Sequence, residues 1–167
     1  MTPAFAAQVA TWRYPQPYDV YDMADADPDF LVDPTSGFHA LVEKDELIGF
    51  RSFGDDGQVP GGPYESTTPS GGTVLDTGGG LRPDLTGRGL GGRAIATGLL
   101  FGLHTYGPDV FRVTVAAFNG RAHQVVESLG FVRGAVFEAS ADGRAFVIFT
   151  GDAPSLELAR WVCPAAR

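Results

Sequence analysis

Apolar residues recur along the chain at two spacings, and these spacings predict its helices and strands. Ile95, Leu99 and Leu103 follow one another at intervals of four residues, which places them on one face of a helix. Runs of valine and threonine with alternating apolar positions favour strands. The predicted helices are Ala4–Trp12, Leu90–His104 and Arg121–Leu129, and the predicted strands are Phe38–Glu43, Glu46–Phe53, Thr73–Leu81, Val110–Ala116, Val136–Ala139 and Ala145–Thr150.

The order of these elements predicts one α/β domain over residues 1–167 with a mixed sheet. Two long connections separate the elements. Residues 13–35 are rich in Tyr, Pro and Asp and predict a loop with a short helix. Residues 54–72 are rich in glycine and predict a long surface loop, a class of connection that is often functional.

The composition is that of a folded protein. Hydrophobic residues make up 44% and charged residues 19% of the chain, which excludes a disordered protein, a collagen and a coiled coil. No window approaches the roughly 18 consecutive apolar residues of a membrane span, and the N-terminus lacks the features of a signal peptide, so we expect a cytoplasmic protein. One cysteine, Cys163, allows no disulfide within the chain. The three histidines are far apart in sequence, so no metal site is predicted.

Charge is distributed unevenly along the sequence. The net charge of −8 argues against a nucleic-acid partner. Residues 1–81 carry 3 basic and 13 acidic side chains, whereas residues 82–133 carry 6 arginines against 3 acidic residues. An acidic chain with one basic segment is a candidate to bind a small anion at that segment.

The strongest local signal is a glycine-rich turn between the predicted strand Thr73–Leu81 and the predicted helix Leu90–His104. Clustered glycines allow backbone N–H groups to face one point at a helix N-terminus, where the helix dipole also favours phosphate. The candidate ligand-binding residues of this turn are Leu81, Arg82, Thr86, Gly87, Arg88, Gly89, Leu90, Gly91 and Gly92.

Several interpretations of this turn compete. A dinucleotide is one candidate ligand, because Gly87, Gly89 and Gly92 match the spacing GxGxxG. Against it, Asp109 precedes its strand instead of following it, and too little chain remains for a doubly wound sheet. A nucleoside-triphosphate loop is excluded because no Gly-Lys-Ser/Thr follows. A glycine-rich connection without any ligand also stays open.

Two ordered motifs resemble those of the GCN5-related N-acetyltransferase (GNAT) family. Residues 86–91 resemble the family's pyrophosphate motif, Gln/Arg-x-x-Gly-x-Gly/Ala, with Thr86 where Gln or Arg is usual. Asn119-x-x-Ala122, followed by residues 127–131, resembles the second signature helix, which an Asn caps and a Gly-Phe pair ends. Residues 76–83 are similar to the Glu-x-Gly-…-Pro strand of the branch that acetylates ribosomal-protein N-termini.

The resemblance covers residues 38–150, which it implies to be the core of the domain. It implies a mixed, mostly antiparallel sheet whose central strands splay apart, with flanking helices and with acetyl-CoA as cosubstrate in the gap. The glycines at 78–80 would otherwise weaken a strand, so they agree with a bulge or a close approach of the cofactor. No metal is implied.

The same resemblance implies that the chain transfers acetyl from acetyl-CoA to a primary amine, either a protein N-terminus or a small amine. Asp76 is the candidate catalytic base, and Asn119 is the candidate contact near the pantetheine. Three alternatives stay open: a non-catalytic module that binds acyl-CoA or has a regulatory role, a nucleotide-binding protein, and an acyltransferase whose acceptor is not an amine.

The acceptor side is implied to lie in residues 1–37 and in the 54–72 loop with Tyr64. Six aspartates between residues 19 and 33 predict an acidic rim that attracts a cationic amine, or else a solvated loop. The family's first strand is expected to be shortened or absent. The sequence leaves open whether the chain forms a homodimer.

The acid that protonates the departing thiolate is missing from its usual place. Many family members carry a tyrosine seven residues after the signature Asn, and the count from Asn119 reaches Val126. We expect the thiolate to leave unaided or through water, because a thiol with a pKa near ~8.5 is a tolerable leaving group. His123 and a tyrosine of the 54–72 loop are the alternative donors.

Overall fold

The computed structural model describes residues 1–162, so Cys163 lies outside the described residues. The helices are α1 (Pro3–Val9), α2 (Pro28–Val32), α3 (Gly91–Tyr106), α4 (Gly120–Ser128) and α5 (Ala159–Val162). The strands are β1 (His39–Glu43), β2 (Glu46–Phe53), β3 (Val74–Leu81), β4 (Val110–Ala116), β5 (Val132–Glu138) and β6 (Ala145–Asp152). Short 3₁₀ turns lie at Tyr18–Tyr21, Gly54–Gly57, Pro83–Leu85 and Ala153–Ser155.

All six strands form one sheet in the order β1-β2-β3-β4-β6-β5. Only β3 and β4 pair in parallel, and the other four pairings are antiparallel. The predicted mixed, mostly antiparallel sheet is therefore confirmed. Within residues 1–162 no strand precedes β1, which is an edge strand, so the family's first strand is absent from this part of the chain.

Helices cover both faces of the sheet. Helices α3 and α4 pack on one face over a core that includes Leu99, Phe111, Leu129 and Phe149. On the opposite face α1 and α2 pack against Phe50 and its neighbours on β1 and β2. Side chains alternate along β2, so Phe50 points toward α1 and α2, whereas the next residue, Arg51, points toward α3.

Two element bounds differ from the prediction by three or more residues. Strand β5 begins at Val132 instead of Val136, because residues 133–135 include an irregularity of register that breaks the alternating pattern. Helix α1 ends at Val9, and Trp12 packs beyond the helix in the α1–α2 core. Within residues 1–162 no helix combines the length and the apolar character needed to cross a bilayer.

Candidate functional site

The centre of the sheet opens because β3 and β4 pair over only three residues each. The ladder runs from Val74 opposite Val110 to Asp76 opposite Arg112. Beyond that vertex, residues 77–81 pair only with β2, and β4 pairs only with β6. The two strands therefore present facing edges without a strand between them, and the predicted splay of the central strands is confirmed.

A buried ion pair closes the vertex of this opening. The guanidinium of Arg112 donates from Nε to Oδ1 of Asp76 at 2.6 Å and from Nη2 to Oδ2 at 2.7 Å. Oδ2 also accepts from the amide of Gln58 at 2.9 Å. The third nitrogen of Arg112 donates to the carbonyl of Glu65, and the guanidinium lies 4.9 Å from the ring centroid of Tyr64. The predicted base is thus buried and clamped, with one acceptor position left on Oδ1.

Gly79 explains part of the triple glycine in β3. Its φ of +140° favours glycine, and a Cβ at this position would lie 2.3 Å from the carbonyl oxygen of Phe50. Because Gly79 is also exposed, the backbone at the opening is accessible to a ligand. The prediction that these glycines serve a close backbone approach is consistent with this geometry.

The glycine-rich turn leads from β3 into the N-terminus of α3. Gly87 and Gly89 have φ of +73° and +76°, a conformation that side chains rarely adopt. No side chain caps α3 at Leu90, so the first N–H groups of the helix point out of it without an intrahelical partner. A Cβ on Gly89 would meet nothing within 4 Å, so the space in front of these donors is open.

Gly92 has a different reason to be glycine. A Cβ at this position would lie 2.2 Å from Cζ3 of Trp161 on α5. The residue was predicted from its place in the GxGxxG spacing, but the structure explains it by the close packing of α5 on α3. Thr86, which was also predicted as a ligand contact, has a structural role as well: its hydroxyl donates to the carbonyl of Pro83 at 2.8 Å and closes the turn.

Three of the six arginines in the basic segment are engaged in ion pairs. Arg82 contacts Asp84 at 2.7 Å, and Arg93 contacts Glu43 at 2.8 Å. Arg112 is clamped at the vertex. The bond from Arg82 lowers the pKa of Asp84 below its usual range. Arg82, a predicted cofactor contact, therefore has a carboxylate partner beside the turn.

Arg88 and Arg121 have no carboxylate partner among residues 1–162. Arg88 was predicted from the motif. Arg121 was not, although it stands two residues after Asn119, at the start of α4. Its Nη1 would lie 3.7 Å from a Cβ on Gly87, so the fold brings two unpaired guanidinium groups to the same turn.

Asn119 begins α4 as predicted. Its side-chain oxygen accepts from the N–H of Ala122 at 3.1 Å, which caps the helix. Its amide nitrogen donates to the hydroxyl of Tyr21 at 3.1 Å, and burial raises the pKa of that phenol.

Tyrosines cover the opening from the face that carries α1 and α2. Tyr14 donates to the carbonyl of Leu81 at 2.7 Å. The hydroxyl of Tyr64 lies 3.0 Å from Oγ1 of Thr114 on β4, and it accepts from the N–H of Val59. Residues 1–37 and the 54–72 loop, which were predicted to form the acceptor side, therefore contact the two strands that border the opening, β3 and β4.

The two positions considered for a proton donor near α4 face inward. Val126 is 1% exposed within the core under α3 and α4. His123 is buried, and its Nε2 lies 3.1 Å from the carbonyl of Ala116. Tyr64 is the candidate donor that lies against a wall of the opening. No group of three His, Cys, Asp or Glu residues suited to a metal ion occurs within residues 1–162.

Several of the six aspartates between residues 19 and 33 have local structural roles. Asp27 caps α2, Asp22 accepts from the N–H of Tyr14, and Asp33 accepts from Thr35, whose bonds lower its pKa. Asp25 and Asp29 are exposed and accept no side-chain hydrogen bond from the described residues. Only part of the segment is therefore free to act as a charged rim.

No protein-family model matches the sequence, and no curated protein sequence matches it. Solved structures do match. A chimera of the spermidine N-acetyltransferase SpeG from Vibrio cholerae and hSSAT superposes with a TM-score of 0.62 at 15% identity, over 92% of this chain and 93% of the other. The aminoglycoside acetyltransferase AAC(6')-Ib, solved with coenzyme A, gives 0.61 at 19% identity over 89% and 90%.

A third match is yncA from Salmonella typhimurium, solved with acetyl-CoA, with a TM-score of 0.53 at 17% identity. The alignment covers 70% of this chain and 64% of yncA, so the chain spans less than two thirds of that protein. GNAT-family acetyltransferases are among the neighbours. The chain has the GNAT fold. None of these neighbours specifically supports the ribosomal-protein branch of the GNAT family.

Proposed function

We propose that this chain is an acyltransferase that moves acetyl from acetyl-CoA to a primary amine. The observation that carries the proposal is the opening between β3 and β4, which leads directly to the uncapped N-terminus of α3. A pantetheine arm carries amides that can pair with an exposed strand edge, and a pyrophosphate suits the donors of a helix N-terminus. The opening and the turn together match the two chemically different parts of coenzyme A.

The residues present fit the phosphates of coenzyme A. The Gly87–Gly91 backbone would donate to the pyrophosphate, and Arg88 and Arg121 would supply positive charge that no carboxylate among residues 1–162 already neutralises. Arginine suits this task because its fork of donors matches phosphate oxygens. Acetyl-CoA in this position supplies an activated acetyl carbon: its C–S bond breaks as the C–N bond forms, and the amine loses a proton.

The chain's own groups at the vertex have defined tasks in that reaction. Backbone N–H groups of the glycine run at 78–80 would stabilise negative charge on the thioester oxygen. Asp76 keeps one acceptor position, on Oδ1, but its bidentate pair with Arg112 favours an anchoring role, so we expect the amine proton to pass to water, with Asp76 as the alternative base. The hydroxyl of Tyr64, on the β4 wall, is the candidate to supply a proton to the thiolate.

A module that binds acyl-CoA without catalysis is the second candidate function. The clamp of Asp76 by Arg112 favours it, because a base engaged in a buried bidentate pair is poorly placed to accept a proton. Calorimetric titration with acetyl-CoA, dephospho-CoA and NAD tests the binding step common to both candidates. We expect acetyl-CoA to bind more tightly than the other two ligands. Preferential binding of NAD would instead support the dinucleotide interpretation.

We propose that the amine acceptor is cationic and that the exposed carboxylates of the acidic segment attract it. Replacing Asp25 and Asp29 together with asparagine should raise KM for a cationic amine about threefold at low salt, since exposed charges contribute roughly 0.2–1 kcal/mol each. The difference should vanish at high salt, because screening acts within about 10 Å at 0.1 M. Steady-state kinetics at two salt concentrations measures both effects.

The matched control neutralises two exposed carboxylates elsewhere, Glu127→Gln with Asp152→Asn, and should leave KM unchanged. If the Asp25 and Asp29 double variant keeps the KM of the unmodified protein at low salt, the segment is a solvated loop.

A further inference from the structure

A cavity lies at the β1 edge of the sheet, whereas the opening between β3 and β4 lies at its centre. It has a volume of about 630 Å³ and is bounded by the edge strand β1, by β2, by the N-terminus of α1 and by α3. Its lining is largely apolar, with Phe5, Leu41 and Phe101 among the contributors, yet it includes Arg51 and Arg93. Apart from Leu90, which also belongs to the glycine-rich turn, the residues that line the cavity have no task in the proposed acyl transfer.

Arg51 is a buried guanidinium without a counter-ion. It is 5% exposed, and no carboxylate of residues 1–162 lies within 4.0 Å of it. Nη2 donates to Oγ1 of Thr77 at 2.8 Å, while Nε is fully covered and has no partner. Burial lowers the pKa of Arg51 to about 10. An unpaired buried charge is costly, so its retention calls for an explanation.

The fold makes room for this side chain in two places. A Cβ on Gly98 of α3 would lie 2.5 Å from Cγ of Arg51, and a Cβ on Gly79 would lie 3.1 Å from Cδ. Nη1 has no partner among residues 1–162, but it is not among the fully covered atoms. Because Arg51 lines the cavity, we infer that the guanidinium meets the cavity through Nη1.

The other charged groups leave the cavity positive. Arg93 pairs with Glu43 at 2.8 Å, and both side chains are about half exposed. Burial, and after it the N-terminal ammonium, lowers the pKa of His39, which disfavours a charge on its imidazole. Two arginines against one glutamate give the lining side chains a net charge of +1, and the N-terminal ammonium of Met1, which also lines the cavity, adds to it.

We propose that this cavity binds an organic monocarboxylate with an apolar body. The carboxylate would accept from Arg51, and the hydrocarbon would contact the apolar lining formed by residues such as Leu41 and Phe101. A charged group beside apolar walls suits such an amphipathic anion better than inorganic phosphate. The cavity shares only Leu90 with the glycine-rich turn, and the proposed carboxylate contact is Arg51 on β2, so the proposal does not rest on acyl transfer.

Calorimetric titration of the full chain with hexanoate tests the proposal, with 1-hexanol and inorganic phosphate as comparison ligands. We expect saturable binding of hexanoate and at least tenfold weaker binding of both comparison ligands. Arg51→Met keeps the length of the side chain and removes an unpaired charge, so it should fold and lose hexanoate affinity at least tenfold. Gly89→Val, at the coenzyme A turn, should bind hexanoate as the unmodified protein does.

An NMR titration of His39 supplies a second readout. A bound carboxylate should raise the pKa of this histidine in the unmodified protein and leave it unchanged in Arg51→Met. Equal hexanoate affinity in folded Arg51→Met, or no saturable binding of hexanoate to the unmodified protein, would overturn the proposal. Failure of acetyl-CoA binding alone would affect only the proposed function.

Discussion

Replacing Arg112 with methionine is expected to lower the free energy of unfolding by about 3–5 kcal/mol, the cost of leaving one member of a buried ion pair without its partner. Asp76 is 5% exposed and would keep only the single bond from Gln58. Chemical denaturation measures this change. The double variant Arg112→Met with Asp76→Leu removes both charges, and we expect it to recover most of the stability, because hydrophobic replacement of a whole buried pair is often neutral or stabilising.

The same double variant separates two roles of Asp76. If Asp76 mainly anchors the vertex, the folded double variant should keep kcat/KM within tenfold of the unmodified protein. This is the result we expect, because both carboxylate oxygens already accept hydrogen bonds from the Arg112 guanidinium. A loss of roughly 10²–10⁴, typical of a required base, would establish instead the catalytic role predicted from the sequence. If the free energy of unfolding does not change in Arg112→Met, the ion pair between Arg112 and Asp76 does not stabilise the fold.

Gly89→Val is expected to weaken acetyl-CoA binding at least tenfold, or about 1.4 kcal/mol. A Cβ at Gly89 meets no protein atom within 4 Å, so valine would project into the space in front of the α3 N-terminus. The side chain would also be strained at a φ of +76°. Calorimetry measures the affinity, and circular dichroism confirms the fold.

Gly143→Val is the matched control for this substitution. Gly143 has a φ of +71° and equally open surroundings, but it lies in the turn between β5 and β6. The two variants therefore share the backbone strain and differ in location. If both bind acetyl-CoA with the affinity of the unmodified protein, the turn does not hold the phosphates.

The elements that were predictable from the sequence are those whose signals are local. Strand β4 has the predicted bounds, Val110–Ala116, because β-branched residues occupy most of it and alternate between faces. The capping of α4 by Asn119 was predictable for the same reason, since the cap and its partner are three residues apart. The start of strand β5 was predicted four residues too late because its irregular register hides the alternation.

The site depends on contacts between distant parts of the chain, and these were not predictable. Asp76 and Arg112 are 36 residues apart and meet only because β3 and β4 pair in parallel around α3. Gly92 matched a ligand-binding spacing, but the tertiary packing of Trp161 explains it. Arg121 reaches the glycine-rich turn from α4. In the sequence, only the basic charge of residues 82–133 indicated that it could contact an anion.

We propose that this chain transfers acetyl from acetyl-CoA to an amine at the opening between β3 and β4. The most direct test of this claim incubates the protein with acetyl-CoA and a panel of spermidine, an aminoglycoside and peptides with free N-termini, and then measures thiol release together with the mass of each amine. We predict thiol release that depends on one class of amine, with equal amounts of the acetylated amine, and its loss in Gly89→Val but not in Gly143→Val. Binding of acetyl-CoA without an acetylated amine from any member of the panel would contradict the claim and favour a binding module.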